Sequence, residues 1–337
     1  MQLNKLSQTL LPVVETELQQ AIAKIDGLGL NELHNMLVYH MGWKGEGAGP
    51  QATGKRIRPL IVLLTAQAAG SNWENALPAA AAVELIHNFS LLHDDIEDNS
   101  QLRRGRPTVW TKWGIPQAIN AGDAMFTLAH LALLRLEETV SPVITLRATR
   151  LLQQTCLHLT QGQYLDISYE KRDRLSLEDY WPMVTGKTAA LIAACTELGA
   201  LIADAGEDTC NDYRSFGLNL GLAFQVLDDV LGIWGDSDII GKSNTSDLVE
   251  GKKSLPVLVG LQKKGKFANR WMEGLITPEE VPALAEQLEL EGGRAYAQNQ
   301  ADRLTQLALQ SLEDANPQGE AGEALFELAD ILLKRQV

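Results

Sequence analysis

Two acidic runs hold the side chains best placed to do chemistry. The first, His93-Asp94-Asp95-Ile96-Glu97-Asp98, closes an apolar stretch with helical spacing. On a helix Asp94 and Asp98 fall about 40° apart around the axis and roughly 6 Å apart along it, so both reach one ligand. His87 lies about 20° from Asp94 on the same wheel, which extends the face by two turns. The second run, from Gln225 through Asp228, Asp229 and Gly232 to Asp236, puts all five within about 60° of one line. Phe224, Val226, Leu227 and Leu231 point elsewhere. Burying unpaired carboxylates costs several kcal/mol, so these stripes call for a cation. Nitrogen and sulfur ligands are scarce beside them. That favours a hard, oxygen-preferring ion, and Mg²⁺ held by few carboxylates together with substrate phosphates fits best.

Cationic residues lie next to the acidic runs. Lys55 and Arg58 follow a glycine-rich loop, and Arg103-Arg104-Gly105-Arg106 follows the first acidic run. Thr185-Gly186-Lys187-Thr188 opens a further helix, and Lys242, Lys252 and Lys253 follow the second run. Together they match what two diphosphates and their metals require, with Arg offering a planar fork and Lys a point charge.

The elements that must position these groups read as helices. Apolar residues recur at helical spacing over 61–69, 79–92, 118–136, 144–167, 189–203 and 216–234, and strand signals are nearly absent. Several segments are rich in Ala and Leu on more than one face, as in helices buried among helices. The expected architecture is all-α: one large helical bundle around a deep apolar pocket, a single domain over 1–337. Gly42 to Gly54, with five glycines and a proline, breaks the chain ahead of the bundle.

The chain has 337 residues, 29 Lys plus Arg against 43 Asp plus Glu, and a net charge of −14. That balance excludes a basic nucleic-acid binder as the default reading. Cys156, Cys195 and Cys210 are isolated, so no disulfide framework or cysteine-based zinc site is legible, and a reducing, cytoplasmic setting is expected. No signal-peptide pattern opens the chain. The longest apolar stretch, 188–203, is shorter than the roughly 20 residues of a membrane span, so neither a membrane span nor a nucleic-acid partner is expected.

In motif order the chain carries G-K-R-I-R-P, L-I-H-N-F-S-L-L-H-D-D-I-E-D, R-R-G-R-P-T, G-Q-Y-L-D, T-G-K-T, F-Q-V-L-D-D and D-L-V-E-G-K-K-S-L-P, from Lys55 to Pro256. With these seven motifs it resembles the trans-isoprenyl diphosphate synthases, the polyprenyl synthetase family. The resemblance implies a Mg²⁺-dependent prenyltransferase that condenses isopentenyl diphosphate with an allylic diphosphate. It implies that Lys55, Arg58, His87 and Arg104 hold isopentenyl diphosphate. Arg103, Lys187, Lys242 and Lys252 would hold the allylic diphosphate. Asp94 and Asp98 would bind two Mg²⁺ and Asp228 a third, with Asp95, Asp229, Gln163 and Asp166 in support. Thr188 and Gln225 would line the allylic cation, so Lys187, Thr188, Gln225 and Arg103 form the expected catalytic set. A homodimer is implied too, with 114–136 as its interface.

Two departures stand out. The family's second acidic motif ends on a third aspartate where this chain has Gly232, leaving Asp228, Asp229 and Asp236 to compensate. Thr53-Gly54 replaces the usual Gly-Gly before Lys55. For product length, the wheel turns Ser90 toward Asp94, about 40° away, and Phe89 about 140° away. By resemblance, one aromatic at Phe89 beside a small Ser90 looks like the geranylgeranyl diphosphate synthases, which implies a twenty-carbon product. Farnesyl or longer chains are the alternatives within the family. A terpene cyclase would not need the Lys55, Arg58, His87 and Arg104 set, and a non-catalytic subunit would not need both Asp-Asp pairs.

Overall fold

The computed structural model describes residues 1–25, 27–170, 172, 174–235 and 247–333. In chain order its longer helices are α1 (Gln2–Ile22), α2 (Asn31–His40), α3 (Ile57–Ala68), α4 (Leu77–Glu97), α5 (Ile115–Leu134), α6 (Pro142–Glu170) and α7 (Leu177–Val184). They continue with α8 (Ala190–Ile202), α9 (Glu207–Trp234), α10 (Leu255–Lys263), α11 (Val281–Leu290), α12 (Gly293–Asp314) and α13 (Gly319–Leu333). Among the described residues the strands are β1 (Leu102–Arg103) and β2 (Arg106–Pro107), which pair antiparallel. The all-α expectation holds.

Contacts among the described residues divide the chain into two units. The first takes Met1–Gln154, Cys195–Cys210 and Asn316–Leu325, and the second takes the remainder. In the first, α4 buries Ala79, Ala80, Ala81, Ala82, Val83, Leu85 and Ile86. Its alanines let it pack along α5, which answers with the buried Ala118, Ala121, Gly122, Met125 and Ala129. Helix α4 ends at the first acidic run because Asn99 adopts a left-handed φ of 50°. Ser100 N–H then donates to Asp95 O at 2.9 Å and Asn99 N–H to Ile96 O at 3.2 Å, a Schellman closure that satisfies the terminal carbonyls.

The second unit has two apolar clusters. Tyr180, Val184, Val226, Leu227, Val230, Leu255, Leu258 and Leu304 gather α7, α9, α10 and α12. Ile233, Leu248, Val257, Phe267 and Leu288 form the other. Helix α7 starts on a capping box, in which Ser176 N–H donates to Asp179 Oδ2 at 2.8 Å and Asp179 N–H to Ser176 Oγ at 3.3 Å.

Where the sequence offered no apolar stretch long enough to span a membrane, the helical runs Leu177–Ile202 and Glu207–Trp234 reach that length and hydropathy. Both are largely buried within protein, and they carry Lys187, Asp228 and Asp229, so their apolar character is that of core helices. All three cysteines are free and buried, and burial pushes the Cys156 and Cys195 thiols up to about 12.

Candidate active site

In the first unit the G-K-R-I-R-P motif is anchored by its first arginine. Arg56 adopts a left-handed φ of 48° and its guanidinium is buried. Its Nε donates to Glu15 at 2.6 Å and its Nη1 to Glu84 at 2.8 Å, while Glu84 also accepts from Asn88 at 2.9 Å. This paired cluster fixes the entry to α3 and therefore the flanking Lys55, which is exposed, and Arg58, which is half-buried.

The R-R-G-R segment is a two-residue hairpin turn. Arg104 and Gly105 both have positive φ, 52° and 73°, as a type I′ turn requires. Arg106 on β2 points back into the glycine-rich loop and donates to the carbonyls of Tyr39, Lys44 and Glu46, each at 2.8 to 2.9 Å. Arg104 Nη1 donates to Ala52 O at 2.8 Å. A Cβ on Gly54 would lie 2.7 Å from Arg104 Nη2, so Gly54 clears the space this guanidinium uses.

Arg103 Nε and Nη2 both donate to Asp95 Oδ1, at 2.7 and 2.6 Å. Asp95 is buried and desolvation raises its pKa, with Arg103 opposing the rise. His87 is held well below its ordinary pKa by burial and by Arg58, Arg104 and Arg103. It is neutral at pH 7 and can donate one hydrogen bond without adding charge. The same shift places Arg58, Arg103, Arg104 and His87 in one electrostatic neighbourhood. Asp94 is half-buried on the last turn of α4, and Asp98 is the exposed residue that caps it. Ser90 Oγ donates to His87 O at 2.8 Å. Phe89 stacks edge-on against His93 and against Phe126 of α5, with centroids 4.9 and 5.0 Å apart.

In the second unit the T-G-K-T motif forms a π-turn, Thr185–Ala189, between α7 and α8. Such turns displace one residue from the regular ladder and often mark functional positions. A Cβ on Gly162 of α6 would lie 2.1 Å from Lys187 N, and one on Gly186 would lie 2.6 Å from His158 O. Two backbones therefore touch there, which brings Lys187 Nζ onto Asp166 Oδ2 as an ion pair. Gln163, between Gly162 and Asp166, is half-buried on the same helix.

One polar chain runs through this unit. Thr188 Oγ1 donates to Gln225 Oε1 at 2.8 Å, and Gln225 Nε2 donates to Asp229 Oδ1 at 2.9 Å. Asp229 Oδ2 accepts from Tyr180 Oη at 2.8 Å and from Leu255 N at 3.0 Å. Burial raises Asp229 to about 6 against these bonds, and Tyr180 is pushed well above its ordinary value by burial and by Asp229. Asp228, one residue earlier, is half-buried.

Tyr180 and the Leu255 amide were not among the sequence candidates, since nothing in Leu177–Val184 marks one aromatic as polar. Lys253 binds structure. Its Nζ donates to the carbonyls of Tyr169, Glu170 and Arg172 at the negative end of α6. Lys252 lies 2.5 Å from Glu250. Asp236 and Lys242 lie outside the described residues.

Oxygen-only donors, Asp94 and Asp98 in the first unit and Asp228 in the second, suit a hard ion such as Mg²⁺. The buried Asp95 Oδ2, which has no protein partner, is an acceptor suited to a metal-bound water. Asp95 and Asp229, expected in support of the metal residues, are both tied into protein hydrogen bonds.

The family described as polyprenyl synthetase matches residues 49–288, a span containing both acidic runs. The (2E,6E)-farnesyl diphosphate synthase of Mycobacterium tuberculosis is 39% identical over 308 residues, covering 88% of this chain and 85% of that one. The geranylgeranyl diphosphate synthase of the same organism is 40% identical over 292 residues, covering 84% and 82%. A solved geranylgeranyl pyrophosphate synthetase from Pyrococcus horikoshii superposes with a TM-score of 0.88 at 30% identity, covering 99% of this chain and 98% of that one. The chain belongs to the polyprenyl synthetase family and is a trans-prenyltransferase.

Proposed function

We propose that this enzyme adds isopentenyl units to an allylic diphosphate up to a twenty-carbon geranylgeranyl product, with Mg²⁺ as its cofactor, as a cytoplasmic homodimer in which residues 1–337 act as one catalytic domain. Bound at Asp94, Asp98 and Asp228, Mg²⁺ would neutralise charge on the leaving diphosphate. The observation that carries the reading is the ordered chain Thr188–Gln225–Asp229. Asp229 accepts from the Gln225 nitrogen, which turns the Gln225 oxygen toward Thr188. Thr188 gives its proton to that oxygen, so its own lone pairs are directed outward. Two oxygen dipoles are thus preset for a developing carbocation, at no reorganisation cost during the reaction.

Lys55, Arg58, Arg104 and neutral His87 bind the isopentenyl diphosphate group. Lys187, braced by Asp166, meets the allylic diphosphate. The departing diphosphate takes the proton lost after carbon–carbon bond formation, so no side chain serves as base. Apolar walls exclude the water that would quench the cation. Phe89, wedged against Phe126, is the proposed floor of the product channel. The exposed Ile115, Ile119, Leu131 and Leu134 on α5 supply apolar surface for a second copy.

Incubation of the purified protein with Mg²⁺, isopentenyl diphosphate and dimethylallyl, geranyl or farnesyl diphosphate, followed by product sizing, tests this. A twenty-carbon product from every starter is expected. Products that stop at fifteen carbons would overturn the length assignment, as would products that run well past twenty.

A further inference from the structure

His40, the last residue of α2, lies ahead of the family-matched span 49–288, yet its imidazole sits among the cations of the first unit. Burial and the charges of Arg104, Arg103 and Arg56 hold its pKa down to about 3, so the ring is neutral at working pH. One ring nitrogen donates to the Asn88 carbonyl on α4. Nε2 is shielded from solvent and has no protein partner, so that donor is Nδ1 and Nε2 keeps a bare lone pair. His40 also acts on His87, one residue before Asn88, which puts it beside the isopentenyl diphosphate set.

The ring borders a cavity of about 20 Å³ whose lining includes Ala52, Asp95, Arg103, Arg104 and Arg106. That volume takes one water molecule. Three guanidinium groups line it, so acceptors are in demand. The Ala52 carbonyl is taken by Arg104 Nη1 and Asp95 Oδ1 by Arg103, while Asp95 Oδ2 is the acceptor assigned above to a metal-bound water. His40 Nε2 is a further acceptor that no protein group claims. Among the described residues Arg104 makes one protein hydrogen bond, to Ala52, although its guanidinium is buried enough for desolvation to lower its pKa. With five N–H groups it keeps donors for a water and for substrate.

We propose that His40 is a positioning residue for Arg104. A single water in the cavity donates to His40 Nε2 and accepts from the Arg104 guanidinium, which aims the remaining N–H groups at the diphosphate of isopentenyl diphosphate. An imidazole suits this place for a physical reason. A carboxylate would orient Arg104 but also cancel the charge that binds diphosphate, whereas a neutral lone pair orients it and leaves the charge intact. The proposal rests on the reading of Arg104 as a ligand of isopentenyl diphosphate.

The test is KM for isopentenyl diphosphate and for the allylic diphosphate, measured separately in variants whose circular dichroism matches the wild type. His40→Phe keeps a ring but loses the acceptor, and should raise KM for isopentenyl diphosphate about tenfold, the scale of a hydrogen bond to a charged group. His40→Gln retains a neutral acceptor and should stay within about threefold. His40→Glu brings a competing carboxylate and should exceed the Phe variant. KM for the allylic partner should hold within about twofold throughout. A wild-type KM for isopentenyl diphosphate in folded His40→Phe, alongside a raised one in Arg104→Gln, would overturn the proposal. Equal values in the Gln and Glu variants would do the same, as would equal rises in both KM values. A wild-type KM in Arg104→Gln itself would remove the reading of Arg104, and the proposal with it. One measurement needs no variant: the ¹⁵N resonances of the His40 ring in the full chain should show Nδ1 protonated and Nε2 bare at neutral pH, and the opposite tautomer would contradict the proposal.

Discussion

Gln225 Nε2 lies 2.9 Å from Asp229 Oδ1, and through that contact a fully buried carboxylate sets which end of the Gln225 amide faces Thr188. Burial raises Asp229 from 3.8 to about 6. A carboxyl that binds its proton more tightly when folded adds stability below its unfolded pKa, and that stability is lost as pH rises through the folded value. Two pH units correspond to about 3 kcal/mol. The stability of the wild type relative to Asp229→Asn should therefore fall by up to that amount between pH 4 and pH 7. Thermal unfolding of the pair across this range checks it, and parallel curves would refute it.

The contact between Gly162 and the Gly186–Lys187 backbone leaves no room for a methyl group. Gly162→Ala and Gly186→Ala should each lower stability by about 3 kcal/mol, because backbone cannot yield as a side chain can. Lys187 would shift away from Asp166, so turnover should fall even at temperatures where the variants stay folded. Calorimetry paired with steady-state rates separates the two effects.

Gly54 has a φ of 79° and faces the Arg104 guanidinium. Gly54→Ala should displace that group and raise KM for isopentenyl diphosphate about tenfold, the size of a lost charge-assisted hydrogen bond. KM for the allylic partner should stay within twofold. Equal changes in both would show that the substitution acts through general unfolding.

Phe89 and Phe126 hold each other edge-on between α4 and α5. Phe89→Ala should open the channel floor and lengthen products when farnesyl diphosphate is the starter. Chromatographic sizing reads this directly, and an unchanged distribution would place the floor elsewhere, with Ile86 the next position to truncate.

Most of the fold was legible because alanine and leucine repeat at helical spacing and little else competes. The interruption at Gly42–Gly54 was legible too, since five glycines permit no regular element. The continuous run Leu177–Ile202 was not, because Lys187 and Thr188 break the apolar pattern while the backbone passes through a π-turn without stopping. Both acidic runs could be found from wheel geometry. The different fates of Asp94 and Asp95, or of Asp228 and Asp229, could not. Each depends on partners remote in sequence, such as Tyr180 and the Leu255 amide, or on a hairpin turn that aims Arg103 inward.

The most direct test of the account is prenyl transfer by Asp94→Ala and Asp228→Ala, measured with farnesyl and isopentenyl diphosphates under saturating Mg²⁺, with circular dichroism recorded on the same samples. Both variants should keep the wild-type spectrum and lose at least about a thousandfold in rate, on the scale of removing a principal electrostatic stabiliser. Wild-type rates in either variant would contradict the assignment of the two acidic helices as the metal and diphosphate machinery.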